Sequence, residues 1–193
     1  MKNSLDKLFE SPVIQGRFCE FHYITIDDAR LVYDLRKKRP KYLEKTYGGI
    51  ESQKSYLNNY AKSFNLKEQI YYKIFDIKKN NFNGVFRLTM LDDDSHFSWE
   101  SAVFDKNSSP NCFIDTMLMT YRIGFEFLGR KQCGPWNVKK GFTRMMEMHS
   151  KMKMVRILNE DDFYYVVCVK SEDYYKHIEK YKKLGFGKLI GLL

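Results

Sequence analysis

The chain has 193 residues, 44% of them hydrophobic and 16% aromatic, which excludes a disordered protein and is enough to bury a sizeable core in one domain. No window approaches eighteen uninterrupted apolar residues and the first ten residues lack an apolar signal core, so the sequence points to a cytoplasmic protein with no membrane span. The net charge of +9 comes mainly from lysine runs such as residues 36–41 and 180–183, and it admits anionic partners: nucleic acid, a membrane surface or a phosphate-bearing small molecule.

Residues 1–16 read as irregular, punctuated by Pro12 and Gly16. Residues 17–26, aromatic and β-branched, read as a half-buried strand. Thr25 or Asp27 then caps a helix with Ala29, Leu31, Val32 and Leu35 near one face, acids in the first turn, bases in the last, and Pro40 as its stop. After Gly48-Gly49, residues 50–64 form a second helix with Tyr56, Leu57, Tyr60, Ala61 and Phe64 on one side. Three antiparallel strands follow at 71–77, 84–91 and 97–104, joined by the polar turns KKNNFN and DDDS.

Residues 111–128 carry Ile114, Met117, Leu118, Tyr121, Phe125 and Leu128 at the spacing of a packed helix. A buried strand at 134–138 runs into an amphipathic helix with Phe142, Met145, Met148 or His149, and Met152 on its apolar side and Lys139, Lys140, Arg144 and Lys151 on the other. A hairpin of 155–158 with 164–169 closes around the turn NEDD, and Ser171 caps a last helix over 172–184. Cys19, Cys112, Cys133 and Cys168 show neither a CxxC pair nor histidines at ligand spacing, so reduced core thiols are expected and no metal.

This order, with the phrases FRL, WES and GPWNV at their places and the strand-and-helix unit CGPWNVKKGFTRMMEMHSKMKM, resembles the GNAT superfamily of acyl-CoA-dependent N-acyltransferases over residues 17–170. In that frame Phe142 holds the place of the family's asparagine, Met145 its small or apolar position, His149 its tyrosine, and Lys153-Met154 its Gly-Phe pair. A second frame takes YVVCVKSEDYYKHIEKYKKLGFG as the final unit, which would leave too many elements before it. The resemblance implies an α/β (α+β) fold: a mixed, mostly antiparallel sheet flanked by helices. Residues 1–193 form a single domain in this reading, with a core over 17–170 and a helical extension over 171–193.

The resemblance also implies acetyl-CoA as co-substrate and a small-molecule primary amine as acceptor, attacking the thioester directly. The family holds pyrophosphate on a glycine-rich loop before a helix. The corresponding loop here, residues 105–111, has no glycine, leaving Lys106, Ser108, Ser109 and Asn111 as candidate contacts, and an ordinary polar loop would read the same way. Val103, Trp136 and Asn137 are further candidate cofactor contacts on the bordering strands. His149 is the candidate acid, because its imidazole titrates near neutral pH at the family's tyrosine position, although a polar residue at a helix edge would look alike. Glu100 is the candidate base, or a solvent-facing residue of an alternating strand.

Arg36, Lys37, Lys38 and Arg39 at the helical entrance suit a diphosphate, so a nucleotide-linked amino sugar of surface polysaccharide is the expected acceptor. Three alternatives stand beside this: a GNAT fold that binds without catalysing, a nucleic-acid module disfavoured by dispersed bases, and a last helix that builds a homodimer, caps the sheet or covers the site.

Overall fold

The computed structural model describes residues 3–38, 48–140 and 143–192. Arg39, Pro40 and Phe142, with the side chains of Arg144 and Met145, lie outside that description. Helix α1 (Ser4–Phe9) and strand β1 (Val13–Gln15) precede β2 (Cys19–Tyr23), and a 3-10 turn (Ile26–Asp28) leads into α2 (Ala29–Lys37). Helix α3 (Ile50–Asn65), strands β3 (Ile70–Asp76), β4 (Asn81–Thr89) and β5 (His96–Phe104), and helix α4 (Pro110–Arg122) follow, α4 continuing as a π-helical turn over Ile123–Phe127. Then come β6 (Gln132–Lys139), α5 (Thr143–Met152), β7 (Val155–Glu160), β8 (Tyr164–Lys170) and α6 (Ser171–Lys183).

The first sixteen residues correct the expectation of an irregular start. Asn3 caps α1 by accepting from the Leu5 N–H at 3.3 Å, and Leu8 is fully buried. Strand β1 pairs with β2 through Val13–His22, Ile14–Phe21 and Gln15–Glu20, and three residues are too few to show a period. Thr25 stands at the start of the 3-10 turn, where its N–H donates to the Asp28 carboxylate at 2.8 Å, whereas the N-cap position of α2 itself is Asp28, neither Thr25 nor Asp27. Ser171 does not cap α6: Lys170 occupies that position, and the Ser171 N–H bonds to the Lys131 carbonyl at 2.8 Å.

The strands form one eight-stranded sheet in the order β1-β2-β3-β4-β5-β6-β8-β7, antiparallel throughout except where β5 meets β6. One face carries Phe21, Tyr72, Ile74, Phe86, Leu88, Phe97 and Trp99, and packs on α1, α4 and α6. The other carries Tyr71, Val85 and Val103, and packs on Ala29, Val32 and Leu35 of α2 and Leu57 and Tyr60 of α3. Each fully buried large side chain contributes about 1.5–3 kcal/mol, so the paired tyrosines Tyr71 and Tyr72 fasten both layers from adjacent positions.

A bulge in β5 decides what faces where. Arg87 pairs with Glu100 but Val85 pairs with Val103, so β5 contains one more residue than β4 over this stretch, and Ser101 sits at φ 51°. Trp99 and Phe104 therefore pack on the first face while Glu100 and Val103 belong to the second, a phase that strict alternation forbids.

Residues beyond 170, expected as an extension, add Tyr174, Ile178, Leu189 and Leu192 to the main core. The Gly187 N–H donates to Asp115 of α4 at 2.7 Å, Arg122 donates to the Gly187 carbonyl at 2.7 Å, and Ile190 exchanges hydrogen bonds with Gln15 on the outer edge of β1. All four cysteines are buried free thiols, and among the described residues no helix is long and apolar enough to cross a membrane.

Candidate active site

The sheet opens at its middle. Strands β5 and β6 pair in parallel at His96–Gln132 and Phe97–Cys133 and then share no further rung. β6 bulges between Cys133 and Trp136 and continues against β8, so the facing edges of β5 and β6 diverge beyond Phe97. Four rings gather beside this divergence: Trp99 from β5, Trp136 from β6, Tyr121 from α4 and His149 from α5. The His149 ring lies 6.4 Å from Trp99, 6.2 Å from Trp136 and 6.0 Å from Tyr121, centre to centre, and the residue is only 1% exposed.

Within that cluster the Tyr121 hydroxyl meets His149 Nε2 at 2.5 Å. Burial pushes the Tyr121 phenol far above its usual range, with the Cys133 thiol adding to the rise and Trp99 opposing it. The phenol keeps its proton, and the His149 tautomer sets which of the two atoms donates. Trp99 Nε1, buried without a full hydrogen bond, lies toward the same phenolic oxygen.

On the other face a pocket of about 370 Å³ is lined by Tyr33 and Arg36 of α2, the first turns of α3 to Tyr56, and Tyr71, Arg87 and Ser101 of the sheet. Burial pushes the Tyr71 phenol up to about 12, against the pull of the Arg36 guanidinium, which hydrogen-bonds it. Arg87 donates to Ser101 at 3.1 and 3.2 Å, to Gln69 at 3.3 Å and to Glu100 at 3.3 Å, and lies 6.0 Å from the Tyr56 ring centre. Glu100 also accepts from Thr89 at 3.4 Å. Arg36 reaches the pocket, whereas Lys37 and Lys38 point to solvent.

The loop before α4 is occupied by the fold itself. The Ser109 hydroxyl accepts from the Cys112 N–H at 3.1 Å and donates to Asp76 at 3.0 Å, which makes it the N-cap of α4 and its tie to β3. Ser108 accepts from Asn83 of β4 at 2.9 Å, and Lys79 covers the Asn107 carbonyl at 2.8 Å. Lys106 and Asn111 are exposed at the helix start. Val103 is buried among the α2 and α3 side chains, Asn137 is exposed on β6, and Trp136 stands against His149.

The structure thus brings His149 and Trp136 together at the β5–β6 divergence and sets Glu100 on the opposite face, where it joins Arg87 and the pocket. Tyr121 was hidden from sequence reasoning because it falls in a run, 115–121, that is buried throughout. Arg87 had one signal, its place in the phrase FRL.

Comparison with solved structures places the chain. FdhC, a nucleotide-linked sugar GNAT in its apo form, superposes with a TM-score of 0.77 at 24% identity, over 90% of this chain and 98% of that one. The chain has the GNAT fold. The spermidine N-acetyltransferase SpeG of Vibrio cholerae in complex with CoA and spermine gives a TM-score of 0.65 at 11% identity, over 83% and 99% of the two chains. The Campylobacter jejuni N-acetyltransferase PseH gives 0.58 at 14%, over 79% and 98%. No family model matches the chain, and no curated protein matches its sequence. β6 runs parallel to β5, whereas β8 of the rival frame lies antiparallel between β6 and β7.

Proposed function

We propose that this protein is an acyl-CoA-dependent N-acyltransferase that acetylates the primary amine of a nucleotide-linked amino sugar. The single observation that carries the reading is the parting of β5 from β6 after two residue pairs, within a GNAT order of strands. The unpaired edges leave room and backbone hydrogen-bonding groups for an extended thioester arm, with Trp99 and Trp136 beside it. At the loop before α4 the residues fit a pyrophosphate through Lys106, the Asn111 N–H and the Ser108 hydroxyl, which accepts from Asn83 and keeps its own proton to donate, while the Ser109 hydroxyl is engaged with Asp76 and the Cys112 N–H. Acetyl-CoA supplies the acetyl group as a thioester when bound.

In the reaction as proposed, the acceptor nitrogen bonds to the thioester carbonyl carbon while the C–S bond breaks and its electron pair leaves on sulfur. Glu100 takes the proton released from the amine, directly or through a water. His149, with Tyr121 behind it, returns a proton to the sulfur. Acetyl transfer to an amino sugar fits the pocket beside Glu100, whose tyrosines and two arginines suit a nucleoside diphosphate.

Calorimetric titration with acetyl-CoA and with free CoA is the first test, followed by thiol release with amino-sugar nucleotides. Micromolar binding and release with an amino-sugar nucleotide are expected. No binding of either ligand would sink the reading. The occupied α4 loop favours a second reading, a GNAT fold that binds without transferring, and acetyl-CoA binding without thiol release from any amine would decide for it.

A further inference from the structure

Arg87 both lines the pocket and bonds the carboxylate proposed as the base. Its guanidinium makes four contacts of 3.1 to 3.3 Å, three of them to the neutral oxygens of Ser101 and Gln69. The fourth, to Glu100, is a single long contact rather than a paired one, and Glu100 is 45% exposed. A guanidinium gains most from two parallel hydrogen bonds to one anion, which the Glu100 geometry does not provide.

The pocket offers a competing anion the better geometry. Arg36 lines the same pocket as Arg87, Ser52 and Gln53 of its wall belong to the first turn of α3, and the N-cap Gly49 supplies no side-chain acceptor there. Among the described residues that line the pocket the charged ones are Arg36 and Arg87, and this positive charge beside a helix start repels a polyamine and attracts a phosphoryl group. The Glu100 oxygen that accepts from Arg87 has one lone pair left for an ammonium, which must then share it with the guanidinium charge.

We propose that Arg87 is shared between Glu100 and a phosphoryl group of the acceptor, so that a phosphate-bearing acceptor draws the guanidinium to itself and releases the carboxylate that deprotonates its own amine. Arg87 is then a specificity-determining residue: anionic acceptors activate Glu100, and neutral or cationic amines leave it paired. The role of Glu100 as base rests on the acyltransferase reading above, whereas the sharing of Arg87 is a property of the pocket alone.

The test is a titration with uridine diphosphate, with and without saturating free CoA, on the wild-type protein and on Arg87→Gln, Arg87→Lys and Glu100→Gln, each checked for wild-type circular dichroism. Arg87→Gln weakens binding about tenfold or more and Arg87→Lys less, because the lysine keeps the charge without the fork. Glu100→Gln tightens binding about threefold, because the competing carboxylate is gone. A merely structural role for the pair moves both variants in the same direction. Unchanged or weaker binding by Glu100→Gln, wild-type binding by Arg87→Gln, or loss of the diphosphate when CoA is added each overturns the proposal. If the variants behave as expected while acetyl-CoA does not bind, the acyltransferase reading fails and the shared arginine stands.

Discussion

The hydroxyl of Tyr121 and Nε2 of His149 lie 2.5 Å apart in a part of the core that admits almost no solvent. The two residues come from different helices, and each satisfies the other where water does not. A buried polar atom left without its partner costs about 1–3 kcal/mol, so Tyr121→Phe, which preserves the ring and removes only the hydroxyl, is expected to destabilise the protein by that amount in urea unfolding. The same variant lowers acetyl transfer if His149 is the acid, while acetyl-CoA binding by calorimetry stays within about twofold of wild type.

Ser109→Ala removes the cap of α4 and the partner of Asp76 in one step. A lost N-cap costs about 0.5–2 kcal/mol, and the Asp76 carboxylate, 3% exposed, loses the donor to one oxygen while the other still accepts from the Lys79 N–H at 3.0 Å, which places this substitution at the upper end. Chemical denaturation measures it. A loss below a few tenths of a kcal/mol would show that the hydroxyl is dispensable to the fold and open to a ligand.

Glu126 of the π-helical turn accepts from Arg122 of α4 at 2.9 Å and joins α6 through Lys182 at 2.8 Å and the Tyr174 hydroxyl at 2.6 Å. Burial alone would raise its carboxyl, but these partners outweigh burial and hold it below the usual glutamate range. A folded-state value below the unfolded one adds stability above the ordinary glutamate range and loses it as pH falls through the depressed one. Glu126→Gln is therefore less stable than wild type at pH 7, and the two stability curves converge as the carboxyl titrates in acid. A constant offset at every pH would refute this.

Gly124 lies where α4 widens into its π-helical turn, and a Cβ there would come within 2.1 Å of the Phe97 ring. Gly124→Ala forces that ring away from the last paired rung of β5 with β6, at a cost of about 1–3 kcal/mol, read as a lowered urea midpoint.

Most of the element order was legible because each long helix shows its period and the strands are bounded by turns such as DDDS, where Asp93 accepts from the Ser95 and His96 N–H groups. The site was less so. Glu100 and His149 both sit at defensible positions in the sequence, but the extra residue at Ser101 and the layer on which α5 packs are tertiary facts. The hydroxyls of Ser108 and Ser109 look available in a polar loop, yet their partners Asn83 and Asp76 lie 25 and 33 positions away, a separation that local patterns do not encode. Tyr121 has the apolar spacing of any core residue, and only the arrival of His149 gives its hydroxyl a use.

The hydrogen bonds of Gly187 and Ile190 also bear on how the chain is made. Asp115, with no solvent exposure, accepts from the Phe18 N–H through one oxygen and from the Gly187 N–H through the other, and β1 finds its outer partner in Ile190. A ribosome that has reached α4 has therefore made a helix whose central carboxylate is half satisfied and a first strand whose edge is bare. Neither is completed until residues 187–192 have been made, so the native hydrogen bonding of the first twenty residues is complete only with the last ones in place.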